Sequence, residues 1–273
     1  MGSGIAEVLA RSGLEVLVVE RDRAALDLGR QRVNASIAKA GDAGKISPQD
    51  ARDVLKRLRF SIDFAELAEF PFVIEAVAED EGAKLEVFRR LDEVLVDRGA
   101  ILASNTSSIP IATLAAATSR PENVVGLHFF NPVPVMKLVE VTASLLTSEA
   151  TVAAARALAS EQLAKTPIAS PDRAGFVVNA LLIPYLLSAI RMFEAGVATA
   201  EDIDTGMTLG CAHPMGPLAL TDLIGLDTTA AVAESLYAEF RETHYATPPL
   251  LARMVAAGQL GRKSGQGFYT YRK

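Results

Sequence analysis

The chain has 273 residues, half of them hydrophobic, enough for one large domain or two ordinary ones with a sizeable core. A net charge of −6 argues against a nucleic-acid partner, and the single cysteine, Cys211, excludes an internal disulfide or thiolate metal cluster and points to a reducing cytosol. The longest apolar run, residues 176–190, is interrupted by Asn179 and Pro184 and is too short to span a bilayer, so no membrane partner is expected, and the first residues lack the basic-then-apolar pattern of a secretory leader.

In chain order, Met1-Gly2-Ser3-Gly4 runs directly into helical spacing, with Ile5, Val8 and Leu9 on one face and Gly13 as terminator. Residues 14–19 then read as a buried strand that closes on Glu20. Helix, turn, strand and acid form the second half of a dinucleotide-binding βαβ unit, in which Gly2 suits the last glycine of G-x-G-x-x-G and Glu20 suits the ribose-binding acid. The first strand and the first two glycines of that unit are missing. The expectation is that the sequence begins at an internal methionine and that the natural protein starts several residues upstream.

A long helix is expected from Arg23 to about Ala40, and Ser47-Pro48 opens another. Residues 28–60 hold eight Lys or Arg against three acids, which as a cluster suits a polyphosphate tail on a substrate. Residues 72–77 read as a buried strand leading through Ala78-Glu79-Asp80 into an amphipathic helix at 84–96, on which Lys84 by itself reads as an exposed lysine. The strand at 101–103 ends in Ser104-Asn105-Thr106-Ser107-Ser108, five small polar residues that suit a turn and helix cap but also lie where sheet enzymes bind ligands. A short helix at 109–117 and a strand at 123–127 lead to His128-Phe129-Phe130-Asn131-Pro132. His128 at a strand end can exchange a proton near neutral pH. Glu140, in the strand 138–142 with Val139 and Val141 facing the other way, can fix its tautomer. A helix over 147–163 and a strand near Ile168 complete the alternation.

Beyond Ser170-Pro171-Asp172 every segment reads as helix. Predicted helices lie at 176–194, from Thr199 as cap, and at about 218–223, 228–241 and 249–257, before the glycine-rich tail Gly261-Arg262-Lys263-Ser264-Gly265-Gln266-Gly267-Phe268-Tyr269. The fold class expected is an α/β Rossmann-type dinucleotide-binding domain over residues 1–170 followed by an all-α domain over 171–273 that serves substrate binding and dimerisation. Asp222 and Asp227 read as helix caps and Cys211 as core packing. His213 and His244 lack further ligands at metal spacing, so no metal is expected.

In combination and order, several motifs resemble the short-chain 3-hydroxyacyl-CoA dehydrogenases of the 3-hydroxybutyryl-CoA dehydrogenase type, here N-terminally truncated. They are Ser104-Asn105-Thr106-Ser107-Ser108, His128-Phe129-Phe130-Asn131-Pro132, Gly175-Phe176-Val177-Val178-Asn179, His213-Pro214-Met215-Gly216-Pro217 and the tail from Gly261 to Tyr269. The resemblance implies His128 as general base, Glu140 as its partner, Ser107 as donor to the reacting oxygen and Asn179 near the substrate carbonyl. It further implies an NAD site lined by Gly2, Glu20, Glu79, Lys84, Asn105, Ser107, Asn131 and Lys263. Ser36, Ser107 and Asn179 would contact an acyl-CoA thioester, with Lys39 and Lys45 as candidates for its phosphates. A homodimer and a role in fatty acid or butanoate metabolism are implied as well. Glu20 repels a 2′-phosphate and favours NAD, while Arg21 keeps NADP open. Two other readings stand beside this one: a hydroxyacid dehydrogenase acting on a free acid, and a non-catalytic nucleotide-binding relative.

Overall fold

Residues 1–271 are described by a computed structural model, in which the chain divides into two units, Met1–Asp172 and Arg173–Lys273. The first alternates helix and strand: α1 (Gly2–Arg11), β1 (Val16–Val19), α2 (Arg23–Asp42), α3 (Pro48–Lys56), β2 (Leu58–Ser61), β3 (Phe72–Glu75), α4 (Glu81–Val94), β4 (Ile101–Ser104), α5 (Ile111–Ala115), β5 (Val124–Phe129), β6 (Leu138–Ala143), α6 (Glu149–Ala157) and β7 (Thr166–Pro171). Short polar side chains start four of these helices. Ser47 and Asp50 close a capping box on α3, and Asp22, Asp80 and Ser148 cap α2, α4 and α6.

β1 and β2 form one parallel ladder, and β3-β4-β5-β6-β7 form another in that order, with only the β5–β6 pair antiparallel. Among the described residues no ladder joins β1 to β3. Both are edge strands and are half-buried over most of their length, where the apolar runs at 14–19 and 72–77 predict buried strands. The strand β2 is absent from the sequence expectation, because Leu58-Arg59-Phe60-Ser61 is short and lies in the basic stretch.

Strand alternation distributes the sheet between two apolar layers. Val125, Leu127, Phe129, Val139 and Val141 pack with Ile5 and Val8 of α1 and Ala155 of α6. On the other face Leu102 and Val124 pack with Phe88 and Leu91 of α4 and with Ile111 and Leu114 of α5. His128 and Glu140 alternate with the first set and therefore point to the α4/α5 side. Gly126 makes that layer close. A Cβ there would lie 2.7 Å from the Thr142 Cβ and 3.0 Å from Ile111 Cδ1. Gly126→Ala is expected to destabilise the protein by about 1–3 kcal/mol through overpacking, measured as a lowered urea midpoint; an unchanged midpoint would show that β5 and β6 yield there at no cost.

The second unit is helical: α7 (Val178–Glu194), α8 (Ala200–Gly210), α9 (Pro217–Ile224), α10 (Leu226–Phe240) and α11 (Pro249–Ala256). α7 continues through Pro184, and its Ile183, Leu187 and Ile190 meet Leu218, Leu226, Val232, Leu236 and Leu251 in one core. Asp222 is not a cap. It is fully buried within α9 and accepts hydrogen bonds from the amides of Phe268 and Tyr269 and from the Tyr271 hydroxyl, each at 2.9 Å, so it anchors the tail. Asp227 sits in the first turn of α10, after the Gly225 that occupies the cap position, and pairs with Lys263. Cys211 is exposed rather than packed, because it follows the last turn of α8. No helix among the described residues is long and apolar enough to cross a membrane.

Candidate active site

The site is built at the carboxyl ends of β3, β4 and β5. The ladder between β5 and β6 sets His128 directly opposite Glu140. Side chains of directly opposed residues lie on the same face within contact distance. The Nδ1 of His128 lies 2.7 Å from Glu140 Oε2, with His128 7% exposed and Glu140 0% exposed. An ionised carboxylate can only accept, so the contact places the ring proton on Nδ1 and makes Nε2 the acceptor. β5 runs to Phe129, so His128 lies within the strand, one residue before its end, rather than just past it. Phe130 packs against the imidazole, ring centres 4.7 Å apart.

The polar segment after β4 lies beside this pair. The Asn105 side-chain oxygen accepts the amide of Phe129 at 2.9 Å, tying the segment to the residue after His128. Ser107 follows, and its amide donates to Glu79 Oε1 at 2.8 Å, while its hydroxyl lies 3.2 Å from the same oxygen. Thr106 and Ser108 donate to Glu79 as well. Burial alone would raise the Glu79 carboxyl, but the Thr106 hydroxyl, the Lys84 charge and the Ser107 and Ser108 donors outweigh it and hold the group below the usual range.

Lys84 corrects its sequence reading as an exposed helix lysine. It is 1% exposed, with its ammonium 2.7 Å from Glu75 and 3.3 Å from Glu79. Two carboxylates compensate the charge, which is what lets a lysine sit there. Glu75 itself is absent from the sequence expectation. The available signal was an acid inside the apolar run Phe72-Val73-Ile74-Glu75-Ala76-Val77, a position that demands a partner.

Toward a dinucleotide, the residues present fit. The first turn of α1, opening at Gly2, has neither an acid nor a side-chain cap, so its amide donors suit a phosphate. Gly4 lets that helix approach the turn after His128, where a Cβ would come within 3.1 Å of Val133. Glu20 follows the carboxyl end of the parallel strand β1 and faces Gly29 of α2. Asn131 is exposed and precedes Pro132 in a cis peptide bond. Ser36 lies half-buried on α2, and Lys39 and Lys45 are exposed. Other members of the basic cluster have local partners: Lys56 pairs with Asp53, Arg59 with Glu66, Arg57 bonds the Ala10 carbonyl and Arg30 covers the Phe60 ring. In the helical unit Asn179 lies in the first turn of α7, and Lys263 reaches Asp227 at 2.6 Å. Among the described residues no group of three or more His, Cys, Asp or Glu is placed to hold a metal.

Mostly parallel strands, an open helix N-terminus, an acid after β1 and a histidine–carboxylate pair, followed in the chain by a helical unit, are the features of an NAD-dependent dehydrogenase, and the family matches show that class for this chain. The chain belongs to the 3-hydroxyacyl-CoA dehydrogenase family. The NAD-binding domain of that family matches residues 1–173, and its C-terminal domain matches residues 175–271. The chain is 55% identical over 271 residues to the 3-hydroxybutyryl-CoA dehydrogenase of Mycobacterium tuberculosis, covering 99% of this chain and 95% of that one. It superposes on the crystal structure of M. tuberculosis FadB2 with a TM-score of 0.99 at 55% identity, covering 100% of this chain and 95% of the other. On (S)-3-hydroxybutyryl-CoA dehydrogenase PaaH1 from Ralstonia eutropha the TM-score is 0.95 at 45% identity, with coverage of 100% and 96%.

Proposed function

We propose that this chain interconverts short-chain (3S)-3-hydroxyacyl-CoA, of the 3-hydroxybutyryl type, and 3-oxoacyl-CoA with NAD(H), His128 acting as general base. The observation that carries the reading is the 2.7 Å contact between His128 Nδ1 and Glu140 Oε2. In the oxidative direction the 3-hydroxyl proton passes to Nε2 as the C3–H bond gives up its hydride, and Glu140 stabilises the imidazolium that results. The nicotinamide, when bound, supplies the hydride acceptor. Ser107 is a neutral donor for the reacting oxygen and adds no titrating group beside the histidine. In the reductive direction His128 returns the same proton to the carbonyl oxygen. Glu20 holds the ribose hydroxyls and favours NAD over NADP. The names of the relatives support the acyl-CoA substrate.

On the helical unit, Leu181 and Met192 of α7 and Leu209 of α8 are 73%, 46% and 82% exposed, which fits burial in a homodimer. The test of the function is NADH consumption by the full chain with acetoacetyl-CoA, beside free acetoacetate and beside NADPH. Turnover of the thioester with NADH is the expected result. Turnover of the free acid alone would replace the substrate class, and no turnover by folded protein would favour a non-catalytic nucleotide-binding role.

A further inference from the structure

Five small polar residues, Ser104 to Ser108, have no large apolar side chain to lock them, so hydrogen bonds set their position. Glu79 Oε1 accepts five of these bonds. The Thr106 hydroxyl at 2.6 Å and the Ser107 amide at 2.8 Å are short, whereas the Ser107 hydroxyl at 3.2 Å and the Ser108 amide and hydroxyl at 3.1 Å are longer. One carboxylate oxygen cannot satisfy that many donors at full strength. The short contacts hold the backbone of Ser107, and the long one leaves its hydroxyl able to turn to a substrate oxygen.

Glu79 is itself 38% exposed on the side chain and has three rotatable bonds, so something must keep it from turning to solvent. Its second oxygen lies 3.3 Å from the ammonium of Lys84, and Lys84 is in turn fixed by Glu75 at 2.7 Å. Glu75 accepts from the Val77 amide through the same oxygen at 2.6 Å, and from the Ser104 hydroxyl through the other, also at 2.6 Å. The Thr106 amide donates to the Ser104 hydroxyl at 3.2 Å. The fully buried Glu75 therefore reaches the serine segment twice, directly at its start and through Lys84 and Glu79 at Ser107. A buried ammonium left without Glu75 would be costly, and Lys84 would lose its fixed position.

We infer that Glu75 is a positioning residue for the reaction: it fixes Lys84, Lys84 fixes Glu79, and Glu79 presents Ser107 to the reacting oxygen. This rests on the reading of Ser107 as the oxygen's donor. Glu75 reaches the site only through other side chains, so its loss should appear in kcat, through a misplaced Ser107.

Glu75→Gln keeps the shape and an acceptor for Lys84, but it removes the charge and turns the acceptor facing Ser104 into a donor. The variant is expected to lose about 10- to 100-fold in kcat, with KM for acetoacetyl-CoA changed by less than about threefold. In the ligand-free protein, amide exchange at Thr106, Ser107 and Ser108 should accelerate while β3 and β4 stay protected. The double variant Glu75→Gln/Lys84→Met removes both buried charges. It should melt no lower than the single variant and remain at least as slow, because Glu79 has lost its cation. Wild-type kcat in either variant, or a loss confined to KM, overturns the inference. An inactive wild type would remove the proposed reaction instead. The exchange experiment then still decides the structural claim, and unchanged exchange at 106–108 in Glu75→Gln overturns it.

Discussion

Replacing His128 with alanine is expected to lower kcat for acetoacetyl-CoA reduction by about 10²–10⁴-fold, the range that a positioned general acid–base group contributes. On the proposed mechanism the effect should fall on turnover, since the proton that His128 takes moves only in the transition state. Alanine also leaves Glu140 facing a space where a donor stood, 0% exposed, so the variant should lose some stability, about 1–3 kcal/mol. His128→Gln separates the two effects. Its amide can still donate toward Glu140 and restore much of the stability, but it cannot carry the proton. Two variants that are slow to a similar degree while differing in melting temperature would locate the loss in proton transfer. A rate within about threefold of wild type in either, measured under saturating substrate, would remove His128 from the mechanism.

Much of this arrangement is legible in the sequence, for identifiable reasons. His128 stands out because a titratable ring interrupts an apolar run just before Asn131-Pro132. Glu140 stands out because Val139 and Val141 on either side assign it to the opposite face, and the ladder then sets it across from His128. The polar caps were equally plain: Ser47 before Pro48 and Thr199 before Ala200 both accept the expected amide. The failures arise where groups outside the element itself decide the role. Lys84 looks like any helix lysine until Glu75 and Glu79 surround it. Asp222 looks like a cap until the tail, more than forty residues on, folds back onto it. The edge strands β1 and β3 read as buried because hydrophobicity records what a strand can bury, while ladder pairing records which of its edges is covered.

The second large effect belongs to Glu140. Glu140→Gln preserves volume and a hydrogen bond to His128, but it removes the constraint that the partner can only accept. If the amide nitrogen of the glutamine faces Nδ1, the ring proton moves to Nε2, and the atom proposed to receive the hydroxyl proton already holds one. A carboxylate-to-amide change behind a catalytic histidine costs about 10⁴-fold in the serine-protease triad, and a loss of about 10²–10⁴-fold in kcat is expected here. Both directions of the reaction should slow in proportion, because a variant cannot alter the overall equilibrium. The fold should respond far less. Glu140 is shielded from water, and exchanging a buried charge for a neutral isostere removes a desolvation penalty while it weakens the pair. The melting temperature is therefore expected to move by less than about 5 °C. A variant that keeps its rate but melts much earlier would make the His128–Glu140 pair a device for joining β5 to β6. A slow variant with a near-native melting curve would make the carboxylate the group that keeps Nε2 ready to accept a proton.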